Sequence, residues 1–304
     1  MKILVTGGSG FIGRHLVAAL NAEGRRVLTL SRSAEKPIGS EAHWSGGVED
    51  DGAREWARGA DAIIHLAGLS DASLSLDRPL EYGRVNTLGA LNMLEAAREG
   101  GGRIILASSQ RVYKPSELPV REGSPLQPRE PYAYSKLAAE SWARMYADLY
   151  GLSVVVVRLF SVYGPGQRAR RGASGVASIF VDRALRGEDL IVMGEGRRDF
   201  TYVTDVVAGL LAALRWAGNG PRCDTFNLAT GVGTSLVDLA TLVKELTGST
   251  SSIRVVPGPR ESYVADTTAA GTRLGFSARV PLRQGLRRYV QWYSQGLAQG
   301  PSDA

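Results

Sequence analysis

The chain has 304 residues, 44% of them apolar, enough for one large domain or two coupled ones around a sizeable core. Its net charge of +6 is scattered apart from RARR at 168–171 and GRR at 196–198; it suits phosphate or diphosphate ligands and, with no helix-turn-helix, zinc-finger or RNA-recognition signature, argues against nucleic acid. One cysteine (Cys223) and three histidines (His15, His43, His65) exclude an intrachain disulfide and offer no metal cluster, while no apolar run nears the ~18–20 residues of a membrane span and residues 1–13 show no signal peptide, so a cytoplasmic location is expected.

KILVT (2–6) makes a short apolar strand, and similar runs follow at 25–30, 61–67, 103–108 and 152–160. Their lack of polar alternation predicts strands covered on both faces. Helical patterns fall between them, at 11–23, 52–58, 84–98 and 131–150. Strand alternating with helix predicts an α/β fold, a Rossmann-type doubly wound parallel sheet. After about residue 162 a Gly-rich stretch intervenes. A helix (175–186), short strands near 190–193 and 224–228, and helices at 204–217, 235–247 and 282–295 follow. The expected division is a dinucleotide-binding domain over 1–162, to which segments at about 200–230 return. A smaller C-terminal α/β lobe over 163–304 would bind substrate.

TGGSGFIG (6–13) follows the first strand directly and opens the first helix. Gly7 permits a tight turn, Gly10 lets a pyrophosphate approach the backbone, and Gly13 lets helix pack on strand. The helix start at Phe11 and Ile12 supplies free N–H groups to phosphates. An acidic residue normally closes the second strand and binds the ribose 2′-hydroxyl. Here Ser31 and Arg32 stand in its place. A carboxylate would repel a 2′-phosphate, whereas a guanidinium grips it, so NADP is expected ahead of NAD.

PYAYSKLAAE begins a helix after Pro131, with Tyr132 and Lys136 four apart on one face and Tyr134 pointing elsewhere. An ammonium one turn away is expected to favour the phenolate of Tyr132, making it a usable base near neutral pH.

The ordered set TGGSGFIG (6–13), HLAG (65–68), VNTLGALNMLEAA (85–97), SSQRVY (108–113), YAYSK (132–136), RLFSVYGPGQ (158–167), RRDFTYVTDV (197–206), FNLATG (226–231) and YVAD (263–266) resembles an extended short-chain dehydrogenase/reductase of the nucleotide-sugar epimerase/dehydratase type. The resemblance implies a catalytic Ser109, Tyr132 and Lys136; Ser109, rather than Ser108, lies four before the Tyr of VY. It implies that Asn86 is a cofactor-side asparagine and that Leu66, Ala67, Gly68, Phe160 and Val162 line the cofactor. On the substrate side it implies Arg198 as the diphosphate cation and Ile191 and Met193 beside the nucleobase. Gln110 would hydrogen-bond the sugar. Ser161 replaces the usual asparagine, Gly47 the usual adenine-contacting aspartate, and Val256 the usual arginine, with Arg254 and Arg260 close by.

The family's 4,6-dehydratases carry an acid pair just after the catalytic hydroxyl. Here those positions are Gln110 and Arg111, neither of them a carboxylic acid, so dehydration by that route is disfavoured. The implied activity is an epimerase acting through a transient 4-keto nucleotide sugar. The alternatives are an NADPH-dependent 4-ketoreductase and, less favoured, a non-catalytic dinucleotide sensor. The resemblance also implies a homodimer formed by helices 84–98 and 131–150, with Ala138, Ala139, Ala143 and Ala147 permitting close approach.

Overall fold

The computed structural model describes residues 1–169, 175–220 and 222–298. Twelve strands are formed: β1 (Lys2–Thr6), β2 (Arg26–Ser31), β3 (Ala42–Ser45), β4 (Ala62–His65), β5 (Arg103–Ser109), β6 (Ser153–Leu159), β7 (Ser161–Tyr163), β8 (Leu190–Met193), β9 (Arg197–Tyr202), β10 (Arg222–Leu228), β11 (Gly233–Ser235) and β12 (Ile253–Val256). Seven make one parallel sheet in the order β10-β6-β5-β4-β1-β2-β3. Its central strands are apolar throughout because both faces are covered. On one face Leu4, Ile63, Ile104 and Val154 pack under helices Asp51–Ala57, Gly89–Gly100 and Pro131–Tyr150. On the other, Ile3, Val5, Ile64 and Val155 pack under Phe11–Ala22 and Val203–Trp216. Val203–Trp216 and β10 are therefore later segments that return to the sheet.

The smaller lobe holds the pair β12-β8 and the strands β11-β9-β7. Its core gathers Phe180, Leu190, Tyr202, Leu239, Leu286 and Tyr289. Asp199 ties this lobe to the sheet. Wholly buried on β9, its carboxylate accepts from the Thr230 hydroxyl and from the Thr230 and Gly231 nitrogens at 2.5–2.9 Å. Burial still pushes this carboxyl above its ordinary range.

Two expectations are corrected. The helix expected over 84–98 begins as a π-turn, Gly83–Leu88, and becomes α-helical over Gly89–Gly100. Asn86 occupies the widened turn, a form common at functional sites. Ala139, Ala143 and Ala147 pack into the core beneath their own helix and are not a face offered to a second copy. The exposed large residues of that helix are Tyr134, Trp142, Leu149 and Tyr150. Of RARR, Arg170 and Arg171 lie outside the described residues, and Arg168 lies over the Trp292 ring at 5.3 Å.

Candidate active site

A cavity of about 850 Å³ is lined by the loops that follow β1, β2, β4 and β5. From β1 the chain runs outward to β2 and β3, then returns to β4 on the other side of β1. Loops leaving such neighbours part in opposite directions, which opens a crevice at the carboxyl ends of the strands.

One end of the crevice is backbone. Gly7, Gly10, Phe11, Ile12 and Gly13 line it, faced by Leu66, Ala67, Gly68, Phe160 and Val162. Gly7 adopts φ +70°, and a Cβ there would sit 3.0 Å from the Ala67 nitrogen. At Gly13 a Cβ would fall 2.0 Å from the Gly7 carbonyl oxygen. Helix Phe11–Ala22 can thus start against the strand end, with no acidic residue in its first turn. A helix N-terminus so exposed favours a phosphate. The glycines leave open the space that side chains would fill, so these residues fit a dinucleotide.

Farther along this wall β2 ends at Ser31, with Arg32 and Ser33 beside it. Ser31 is buried and its hydroxyl has no hydrogen-bond partner among the described residues. Arg32 is exposed and has no ion-pair or hydrogen-bond partner among the described residues. Glu49, which sequence reasoning missed, also lines the cavity, and its carboxylate lies 3.9 Å from Arg84.

The other end is built from side chains. Successive strand residues face opposite ways, and at the end of β5 this divides the two serines. Ser108 donates to the buried Glu140 carboxylate. Glu140 is held by Arg158 through Nε at 3.0 Å and Nη2 at 2.6 Å, and the Arg158 guanidinium lies 4.6 Å over the Tyr113 ring. Ser109 lines the cavity, and its Oγ accepts from the Arg111 backbone N–H at 3.2 Å. The serine available to a ligand is therefore Ser109. Sequence reasoning missed the Glu140–Arg158 pair, although a charged residue inside the apolar run VVVVRLF was its signal.

Pro131 opens helix Pro131–Tyr150 at a position where its missing N–H costs nothing. Tyr132 and Lys136, one turn apart, both line the cavity, while Tyr134 is exposed. Lys136 Nζ donates to the Ala107 carbonyl at 3.0 Å, and burial lowers its ammonium to about 8, with Glu140 opposing. Burial raises the Tyr132 hydroxyl above its ordinary value; Ser109, by hydrogen bonding, and Arg111, by its charge, oppose that rise. This corrects the expected lowering by Lys136. Within the protein's own groups desolvation wins, because the phenol is shut away from water and the ammonium is spent on Ala107.

Asn86 is buried and committed to protein. Its Nδ2 donates to the Leu69 carbonyl at 3.0 Å and to Ser135 Oγ at 2.9 Å, and its Oδ1 accepts from Leu69 N–H at 2.8 Å. It is not part of the cavity lining; it fixes the loop after β4 against the helix that bears Lys136.

On the substrate side Gln110, Ser161 and Arg198 line the cavity, and Gln110 donates to Ser161 Oγ at 3.3 Å. Gln110 Oε1 is buried without a partner among the described residues. Arg198 donates to the Glu261 carbonyl and lies 5.2 Å over the Tyr263 ring. It has no carboxylate partner among the described residues, since its neighbour Asp199 points the opposite way along the strand. Burial lowers its pKa, and the nearby Arg111 adds to that. Ile191, Met193 and Arg260 are outside the lining. Ile191 and Met193 take the exposed positions of β8, alternating with buried Leu190 and Val192. The Arg260 side chain is 72% exposed, 3.6 Å from Glu117.

The model of the NAD dependent epimerase/dehydratase family matches residues 3–229. The chain belongs to that family. It is 33% identical to the UDP-glucose 4-epimerase of Mycolicibacterium smegmatis, over 96% of this chain and 98% of the relative. Among solved structures it resembles the UDP-glucose 4-epimerase of Thermotoga maritima with UDP-glucose, at 30% identity and a TM-score of 0.89 over 98% of this chain and 100% of that one. MoeE5 in complex with UDP-glucuronic acid and NAD is 33% identical, with a TM-score of 0.89 over 97% and 100% of the two chains. The epimerase/dehydratase fold thus spans nearly the whole chain, and the family's enzymes act on nucleotide sugars with NAD bound.

Proposed function

We propose that the protein is a nucleotide-sugar 4-epimerase working through a transient 4-keto sugar. The observation that carries this reading is the meeting of Ser109, Tyr132 and Lys136 at the side-chain end of a cavity whose other end is a dinucleotide cradle. Tyr132 takes the proton of the sugar hydroxyl as the carbon is oxidised and returns it on reduction. Ser109 hydrogen-bonds the same oxygen and holds it beside the phenol. Lys136, anchored on Ala107, keeps a positive charge under the site and favours the phenolate as it forms. A bound nicotinamide supplies the hydride acceptor and donor. Arg198 meets the diphosphate, where an unneutralised guanidinium is wanted.

We read the cofactor as NADP. The support is an unpartnered Arg32 and the spare Ser31 hydroxyl at a strand end that lacks a carboxylate. That same feature favours a second reading, an NADPH-dependent 4-ketoreductase. Dehydration fits poorly, because Gln110 and Arg111 cannot donate and accept protons as a carboxylic acid pair does. A homodimer is part of the proposal, resting on the exposed Trp142, Leu149 and Tyr150 of helix Pro131–Tyr150.

The test is incubation with UDP-glucose and UDP-glucuronic acid, with and without NADPH, reading products by mass and configuration. The expected result is a C4 epimer of unchanged mass and no net cofactor consumption. A product heavier by two hydrogens, formed from a 4-keto sugar nucleotide with loss of NADPH, would replace the epimerase by the reductase.

A further inference from the structure

The residues after Ser109 form a single 3₁₀ turn, Gln110–Val112. That turn fixes Arg111, whose backbone N–H is bound to the Ser109 hydroxyl. Its guanidinium lines the cavity and makes one side-chain hydrogen bond, from Nη1 to Glu130 Oε1 at 3.2 Å. Its remaining donors have no partner among the described residues. The charge of Arg111 bears on Tyr132 on one side and on Arg198 on the other. Arg111 therefore stands between the phenol that exchanges the proton and the cation assigned to the diphosphate. In a nucleotide sugar, that interval is filled by the sugar ring.

The charges around this interval do not balance. Arg111, Arg198 and Lys136 line it, and the facing acids are few. Glu130 meets Arg111 through one contact, and burial raises its carboxyl more than Arg111 lowers it. Glu261 is taken by Arg129 at 2.7 Å. A diphosphate satisfies Arg198. A neutral hexose leaves the free fork of Arg111 facing hydroxyl groups only, a poor return for withdrawing a cation from water. A carboxylate offers two oxygens in the plane that a guanidinium fork matches.

We propose that Arg111 is a specificity-determining residue that binds a carboxylate on the sugar, so that the preferred substrate is a nucleotide-linked uronate. The inference rests on the nucleotide-sugar reading given above and narrows its substrate class. The expected selectivity is about tenfold or more, since a hydrogen bond between charged groups contributes roughly that factor or above.

The experiment compares kcat/KM for UDP-glucuronic acid and UDP-glucose in the cofactor-loaded full chain. Wild type, Arg111→Gln, Arg111→Lys and Glu130→Gln are measured, with thermal unfolding to verify folding. The uronate is expected to be favoured about tenfold in wild type. Arg111→Gln is expected to erase the preference, mainly through KM for the uronate, and Arg111→Lys to restore part of it. Glu130→Gln releases the guanidinium and is expected to raise the preference, which keeps the test valid if Arg111→Gln is unstable. An equal loss on both substrates would mean that Arg111 acts through the acidity of Tyr132, and would overturn the proposal. So would a wild type that handles UDP-glucose as well as the uronate, and that result leaves the nucleotide-sugar reading standing. If neither compound binds or turns over, both fall together.

Discussion

The two ends of the cavity are made of different material. The dinucleotide end is a backbone surface: three glycines, a helix start and the carbonyl ends of strands, with few side chains in play. The sugar end is a side-chain surface on which a phenol, an ammonium, a hydroxyl, an amide and two guanidiniums converge. A backbone surface binds what all dinucleotides share. A side-chain surface is altered by single substitutions, so substrate identity resides there. This contrast also explains how a chain 33% identical to a UDP-glucose epimerase can keep the cradle while carrying Gln110 and Arg111 beside its reactive serine.

The strongest way to sharpen the contrast is Tyr132→Phe. It removes one oxygen from the sugar end and is expected to lower kcat about a thousandfold, while dinucleotide affinity by fluorescence titration stays within about threefold. A comparable loss of dinucleotide affinity would blur the division between the two ends. Next comes Glu140→Gln, beneath the sugar end. It leaves the buried Arg158 without its counter-charge and should cost about 3 kcal/mol in urea unfolding. Lys136 gives a pH signature of about the same size. Its folded pKa of about 8 lies below the model value of 10.5, so the unfolded chain binds more protons between those values. Stability against urea should therefore rise with pH from about 8 to 10.5 by this contribution, and Lys136→Met should flatten that rise. The smallest effect is expected at Arg32→Ala, the one place where a side chain discriminates at the dinucleotide end. It should weaken NADP about tenfold and NAD hardly at all. Equal affinities in both proteins would return the cofactor reading to NAD.

How far the fold and the site could be read from sequence follows the same division. The parallel sheet and the cradle depend on local patterns: apolar runs bounded by turns, and glycines at fixed spacing after a strand. Tyr132 and Lys136 share a face because helical spacing sets it. Ser109 could be told from Ser108 by counting along the strand, since alternation is as local as a glycine turn. Asn86, Ile191, Met193 and Arg260 came from resemblance, and none of them reaches the cavity lining. A motif places a residue on an element, but which face of the element meets the cavity depends on packing from elsewhere in the chain. β8 shows this, since Leu190 and Val192 claim the lobe core and turn Ile191 and Met193 outward. The raised Tyr132 hydroxyl was hidden for a related reason. Spacing reports that Lys136 is near, and only the folded protein reports that both groups are withdrawn from water.

The pairing of Ser108 with Glu140 and Arg158 has a consequence for how the chain is threaded. β5 has serines at two successive positions, so a shift of one residue would offer a hydroxyl to the cavity either way. Chemistry alone could not tell the two alignments apart. The buried carboxylate does, because it needs a hydroxyl donor on its own side of the sheet and holds Ser108 there. Slipping by one would bring Ala107 or Ser109 to that spot and pull the neighbouring β6 pairing, Ser108 opposite Arg158, out of step. The ion pair thus works as a registration pin: it is set in the interior, and its effect is to choose which of two identical side chains looks out.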